Sequence, residues 1–193
     1  MQEVIDELPS STGQSMDCGA VASDPLRAGL RSCSWHGLPP NVVSHDSALV
    51  PFSNGTDYAS WLYHNITHNN ASTASLSLRG INTKSCRVLF ASPVSAVSIA
   101  DAAADPRYES VTDEGSTQVR LFSREWDKTF HVNVTWEGQE ARGQKGKVVC
   151  LWSEANVWGV IPAWDEVRRF APVWAVGTKG GDGLVEGSKA FVV

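Results

Sequence analysis

His64-Asn-Ile-Thr-His68 sets two imidazoles at i and i+4, the spacing of a metal pair on one helix face. The residues between them argue otherwise. Asn65 and Thr67 form a glycosylation sequon in a segment that reads as a strand, and no His-Glu-x-x-His run occurs. A surface strand accounts for the pair better than a metal site. Asp165 and Glu166 are adjacent and therefore diverge around a helix, whereas acid–base work needs two carboxylates converging across a bond. Carboxylates at a helix start complement its dipole instead. Ser32, Ser34 and Ser85 are candidate nucleophiles, but no Gly-x-Ser-x-Gly elbow surrounds them. Gly180-Gly-Asp-Gly183 lacks phosphate-loop spacing and precedes a strand, so it reads as a hairpin turn. Trp126, Trp158 and Trp164 could form an exposed platform for sugars or peptides, although core packing is the default role for each ring. The expectation is a chain with no catalytic residue and no metal ligand.

A second kind of chemistry is covalent modification. Asn54, Asn65, Asn70 and Asn133 each begin an Asn-x-Ser/Thr sequon, and the first three sequons fall within nineteen residues. The four cysteines, Cys18, Cys33, Cys86 and Cys150, show no Cys-x-x-Cys spacing and admit three pairings. Sequons and an even cysteine count together favour a secretory-pathway lumen or the cell exterior. Met1 to Asp17 is polar and acidic with no apolar core of a signal peptide. No stretch approaches the ~20 apolar residues of a spanning helix. Delivery to that compartment is therefore expected to come from outside this chain, most simply if it is a lumenal piece of a larger membrane protein.

The elements that must position these residues are mostly strands. With 193 residues and 42% hydrophobic content, one domain with a substantial core is expected over 18–193, preceded by a flexible arm over 1–17. The net charge of -5, without clustered Lys or Arg, argues against a nucleic-acid partner. Within 117–136, Phe130, Val132, Val134 and Trp136 alternate with Thr129, His131, Asn133 and Thr135. That period of two predicts a half-buried strand. With Gln118–Ser123 before it and a polar turn over 124–127, the segment reads as a β-hairpin whose wet face carries Asn133. Residues 58–67 and 73–78 predict a second hairpin. Cys86–Phe90, Val94–Ile99 after Pro93, and 147–154 predict further strands.

This last strand puts Cys150 mid-sheet, which makes Cys86–Cys150 the natural long-range bridge, worth about 4 kcal/mol by chain entropy. Cys18–Cys33 would close a short ring worth about 3 kcal/mol, with two unrelated thiols as the alternative. Pro162–Phe170 predicts a helix, with Pro at its start, acids early, bases late and Pro172 ending it. Trp174–Lys179 and Leu184–Val193 complete the set. Eight or nine short strands and one helix near the C-terminus predict a mainly β, antiparallel β-sandwich.

Several runs together resemble a known family. They are Leu26-Arg-Ala-Gly-Leu-Arg-Ser-Cys-Ser-Trp35, Asn82-Thr-Lys-Ser-Cys86, Val119 to Trp136, Ile161-Pro-Ala-Trp-Asp-Glu-Val167, Pro172-Val-Trp-Ala175 and Asp182-Gly-Leu-Val-Glu186. Their order and spacing are similar to the C-terminal lumenal region of the fungal vacuolar membrane proteases, multi-pass zinc peptidases of the M28 family. The resemblance implies a peptidase domain elsewhere that binds two zinc ions, a membrane region, and then this domain in the vacuolar lumen. None of the family's zinc-ligand motifs occurs here, so no cofactor is expected in this chain. Its implied partners are the peptidase and membrane domains of the same parent, or a second copy in an oligomer. The implied role is structural or regulatory. The rival expectation is a glycan- or peptide-binding module that uses exposed Trp residues.

Overall fold

The computed structural model describes residues 5–11, 13–20, 30–35, 38, 61–102, 114–137, 144–153, 157–177, 183 and 185–193. A two-stranded ribbon pairs β1 (Asp17–Ala20) with β2 (Arg31–Ser34). Eight further strands are β3 (Leu62–Asn70), β4 (Thr73–Gly80), β5 (Ser85–Val94), β6 (Ala96–Ile99), β7 (Ser116–Phe122), β8 (Phe130–Thr135), β9 (Lys145–Trp152) and β10 (Val185–Val192). They form two four-stranded antiparallel sheets, ordered β10-β9-β5-β7 and β3-β4-β8-β6. The helix α1 spans Pro162–Phe170 between β9 and β10.

The predicted β-sandwich is what forms. Alternation along each strand sends one face inward, and the two inner faces merge into one buried cluster. One sheet supplies Val88, Phe90, Leu121, Val148 and Trp152, and the other Leu62, Leu76, Leu78, Val132 and Val134. Trp152 lies edge-on to Trp61, with ring centroids 5.5 Å apart, and its Nε1–H donates to the Ile81 carbonyl at 2.7 Å. Cys86 and Cys150 face each other on adjacent strands and are disulfide-bonded, as are Cys18 and Cys33 across the ribbon.

Three expectations need correction. The 117–136 segment is not a hairpin. β7 pairs with β5 in one sheet, and β8 pairs with β4 and β6 in the other. The residues between them cross the end of the sandwich. Ser123 N–H donates to the Lys84 carbonyl at 2.9 Å, and Asp127 Oδ1 accepts the Asn82 N–H at 2.5 Å. The β4–β5 crossing, which holds Asn82, therefore lies beside the β7–β8 crossing and is bonded to it. Asn82 and Asp127 both adopt left-handed φ, at 53° and 55°, a region that Asn and Asp tolerate through local hydrogen bonding.

The second correction concerns residues 173–177, part of the expected strand Trp174–Lys179. They are irregular, and among the described residues after the helix the strand that pairs with β9 is β10. Residues 178–182 and 184 lie outside the described residues. The third concerns the arm. Ile5, Leu8 and Ser11 are buried, so residues 5–11 pack on the domain instead of trailing from it. Ser10 holds them there: its N–H and Oγ–H donate to Glu166 Oε1 and Oε2 at 2.8 and 2.7 Å.

Candidate functional site

The helix α1 and the segments beside it carry the groups with the most chemical capacity. Pro162 stands at the first position, where its missing N–H is no loss. Asp165 Oδ2 accepts the Gly159 N–H at 2.6 Å, just ahead of the helix, and its Oδ1 lies 3.8 Å from Arg168. Glu166 turns the other way and takes both hydrogens from Ser10. Each carboxylate thus has its own structural contact, although both border one cleft. This cleft, of about 570 Å³, lies between the N-terminal segment and the helix and is lined by Pro9, Ser10, Leu38, Trp158, Arg169 and Phe170 and by both carboxylates, Asp165 and Glu166.

The histidine pair does not converge. Both lie on β3, where four residues span ~13 Å at the rise of a strand. His64 points toward the core side and His68 stacks on Trp136 with centroids 6.2 Å apart. Burial, and secondarily the nearby Lys189 ammonium, lowers the His64 pKa below its ordinary value. Among the described residues no group of three His, Cys, Asp or Glu side chains is placed to hold a metal ion.

Ser34 sits on the exposed ribbon. Ser85 is in β5, its backbone N–H and carbonyl both engaged by the Thr83 hydroxyl at 3.2 Å. The side chain of Ser32 lies outside the described residues. Gly183 is buried, and a Cβ there would meet Leu151 Cβ at 2.7 Å, so Gly is required for close packing.

The three Trp residues do not form one platform. Lys84 lies over Trp126 at 4.2 Å, Arg168 lies over Trp158 at 4.1 Å, and Trp164 packs against the core. The exposed rings are Trp35, Trp158 and Trp174. Sequence reasoning passed over Trp174 because it fell in an expected strand.

A second groove, of about 340 Å³, lies where β6 ends beside the β7–β8 crossing. Arg120, Arg124 and Lys128 line it together with Asp101 and Glu125. Lys128 is 3.8 Å from Glu125. The groove is of mixed charge and carries no nucleophile paired with a base.

The three described sequon asparagines are exposed and lie on or beside the outer face of one sheet. Asn65 is on β3 and Asn133 on β8, with β4 between them. Asn133 Oδ1 accepts from Ser75 Oγ at 2.7 Å. At the β3–β4 turn, Asn70 Oδ1 accepts the Ser72 N–H at 2.9 Å, an Asx turn built from the sequon itself. Asn54 lies outside the described residues.

The family model described as "Vacuolar membrane protease, C-terminal domain" matches residues 1–186. The chain belongs to the vacuolar membrane protease family. Proteins named vacuolar membrane protease are similar along the whole chain. That of Pyrenophora teres f. teres is 41% identical over 194 residues, covering 100% of this chain and 20% of the relative. That of Aspergillus fumigatus is 43% identical over 200 residues, covering 100% and 19%. That of Botryotinia fuckeliana is 40% identical over 200 residues, covering 100% and 19%. The chain therefore spans about a fifth of the length of the curated relatives it matches. No solved structure matches it.

Proposed function

We propose that this chain is a non-catalytic lumenal domain of a vacuolar membrane protease, and that it covers or positions the parent's peptidase domain or makes an oligomer contact. One observation carries the reading beyond the family match. The helix carboxylates that could have served as acid and base are committed to structure, Asp165 to Gly159 and Glu166 to Ser10. In this reading the parent is a multi-pass M28-type zinc metallopeptidase, with its zinc ions held by a domain outside this chain. The domain faces the vacuolar lumen, where two disulfides and glycans on Asn54, Asn65, Asn70 and Asn133 resist proteolysis. Glycans on Asn65 and Asn133 would leave the outer face of that sheet to solvent and direct contacts elsewhere.

The test is to purify the 193-residue chain with its disulfides intact, measure zinc by elemental analysis, and assay aminopeptidase activity. No stoichiometric zinc and no activity are expected, and stoichiometric zinc overturns the reading. Deleting the domain from the full-length protein should lower the amount or stability of the protease while leaving the peptidase chemistry of the surviving molecules intact. The glycan- or peptide-binding alternative gains least from Trp126 and Trp158, since a cation already covers one face of each ring.

A further inference from the structure

Helix α1 ends at Phe170, and Ala171 N–H closes its last turn on the Val167 carbonyl at 2.7 Å. A tight turn follows at once, with Ala175 N–H donating to the Pro172 carbonyl at 2.8 Å. Its two central residues are Val173 and Trp174. Turn centres ordinarily carry Gly, Asn, Asp, Ser or Pro. Here they carry an aliphatic and an aromatic side chain that touch little else. Val173 is 105% exposed, Trp174 65%, and Val176 just beyond it 81%. Val173 and Val176 are the two most exposed large hydrophobic residues among those described. The base of the turn is pinned, because Gly177 lies so close to Trp164 that a Cβ would come within 2.4 Å of the ring. Residues 171–177 contain no charged side chain, and Arg169 is exposed in the last helical turn just before them.

We infer that the Pro172–Ala175 turn is a membrane-contacting tip, which sets Val173 and Trp174 into the headgroup–acyl boundary of the bilayer and Arg169 among the lipid phosphates. Shape decides against a protein partner. A stable protein interface buries roughly 800 Å² on each side, more than a four-residue turn presents by itself. A bilayer needs no complementary cavity, so each apolar side chain that enters it counts alone. Trp suits that depth because its ring is apolar and its N–H reaches water. A cation beside the tip can pair with the phosphates that phospholipid headgroups carry in either leaflet, and gains further wherever the facing lipid is anionic. The inference rests on the reading above only in taking the domain to be tethered to a membrane. Tethering turns a weak contact into a high-occupancy one through effective concentration, and it would fix the orientation of the domain.

The test uses the 193-residue chain and vesicles of phosphatidylcholine, with and without phosphatidylserine, in a flotation assay over a range of lipid concentrations. The unmodified chain is expected to partition, and more strongly on the mixed vesicles. Val173→Asp and Trp174→Ala should each lower partitioning about tenfold. Arg169→Gln should lower it about fivefold on the mixed vesicles and less on phosphatidylcholine alone. Phe122→Ser, which removes a hydrophobic residue 72% exposed on β7, should leave it unchanged. These side chains are exposed, so unaltered circular dichroism is expected and checks the fold. Absence of partitioning overturns the inference, as does an equal loss in Phe122→Ser. It is also overturned if Val173→Asp in the detergent-solubilised full-length protein speeds limited proteolysis between this domain and the rest of the chain, which would make the tip a protein contact. A zinc-free, inactive chain that ignores vesicles removes the membrane tip alone, whereas a zinc-loaded chain removes the functional reading alone.

Discussion

Cys86–Cys150 and Cys18–Cys33 look alike locally. Each joins residues directly opposite on antiparallel strands, at Cα separations of 4.0 and 4.1 Å. Their surroundings differ in every other respect. Cys86 and Cys150 are fully buried in the sandwich core and lie 64 residues apart in the chain. Cys18 and Cys33 are only half-buried, lie 15 residues apart, and staple a ribbon whose described side chains are mostly exposed. An isolated two-stranded ribbon is marginal in water, so the second bridge holds a structure that burial does not. The first adds to a structure that burial already holds. One covalent bond thus serves two purposes, and the apolar neighbourhood decides which.

The difference can be broken most severely in the core. Trp152→Ala removes a fully buried ring and orphans the Ile81 carbonyl. A loss of about 3–5 kcal/mol is expected, read as one cooperative shift of the urea midpoint. Replacing Cys86 and Cys150 together by Ala should lower stability by about 4 kcal/mol, again for the whole sandwich, and a transition confined to one sheet would contradict a single core.

The Cys18→Ala/Cys33→Ala pair sharpens the contrast. The ribbon amides should lose hydrogen-exchange protection while the global midpoint moves by less than about 1 kcal/mol. In the same vein, graded reduction followed by mass mapping should open Cys18–Cys33 first, because thiolate attack needs access to the sulfur. Co-reduction of both bridges would contradict the partition.

The smallest effect concerns pH. His64 has its folded pKa lowered by burial and by Lys189. The unfolded chain then binds the proton more readily, so stability falls as pH drops below about 6.5 toward the lowered value and levels off beneath it. His64→Gln should flatten that part of the profile, as read from urea midpoints across the range.

Much of this architecture was legible in the chain. Alternation along 130–136 identified the buried face of β8, and Pro162, the early acid and the late arginines marked α1 over Pro162–Phe170. The candidate site was legible in part: adjacent Asp165 and Glu166 were expected to serve structure, and each has its own partner, but that both border one cleft was not foreseen. What could not be read was long-range. The Ser10–Glu166 contact joins residues 156 apart, and no local pattern carries that information. The exposed tip at Val173–Trp174 was hidden for a related reason, since a β-branched residue beside an aromatic one reads as strand whether or not a sheet receives it.

The sequence by itself determined which residues lie on which face of each strand, because side-chain alternation is a property of the extended backbone alone. It determined the helix in the same way, through Pro, charge placement and the stop at Pro172. The tertiary structure alone decided which strands are neighbours. β7 and β8 are consecutive yet belong to opposite sheets, because backbone hydrogen bonds of a strand go to whichever partner buries its apolar face. It also decided that the apolar residues of the Pro172–Ala175 turn would find no place in the core, leaving them on the surface.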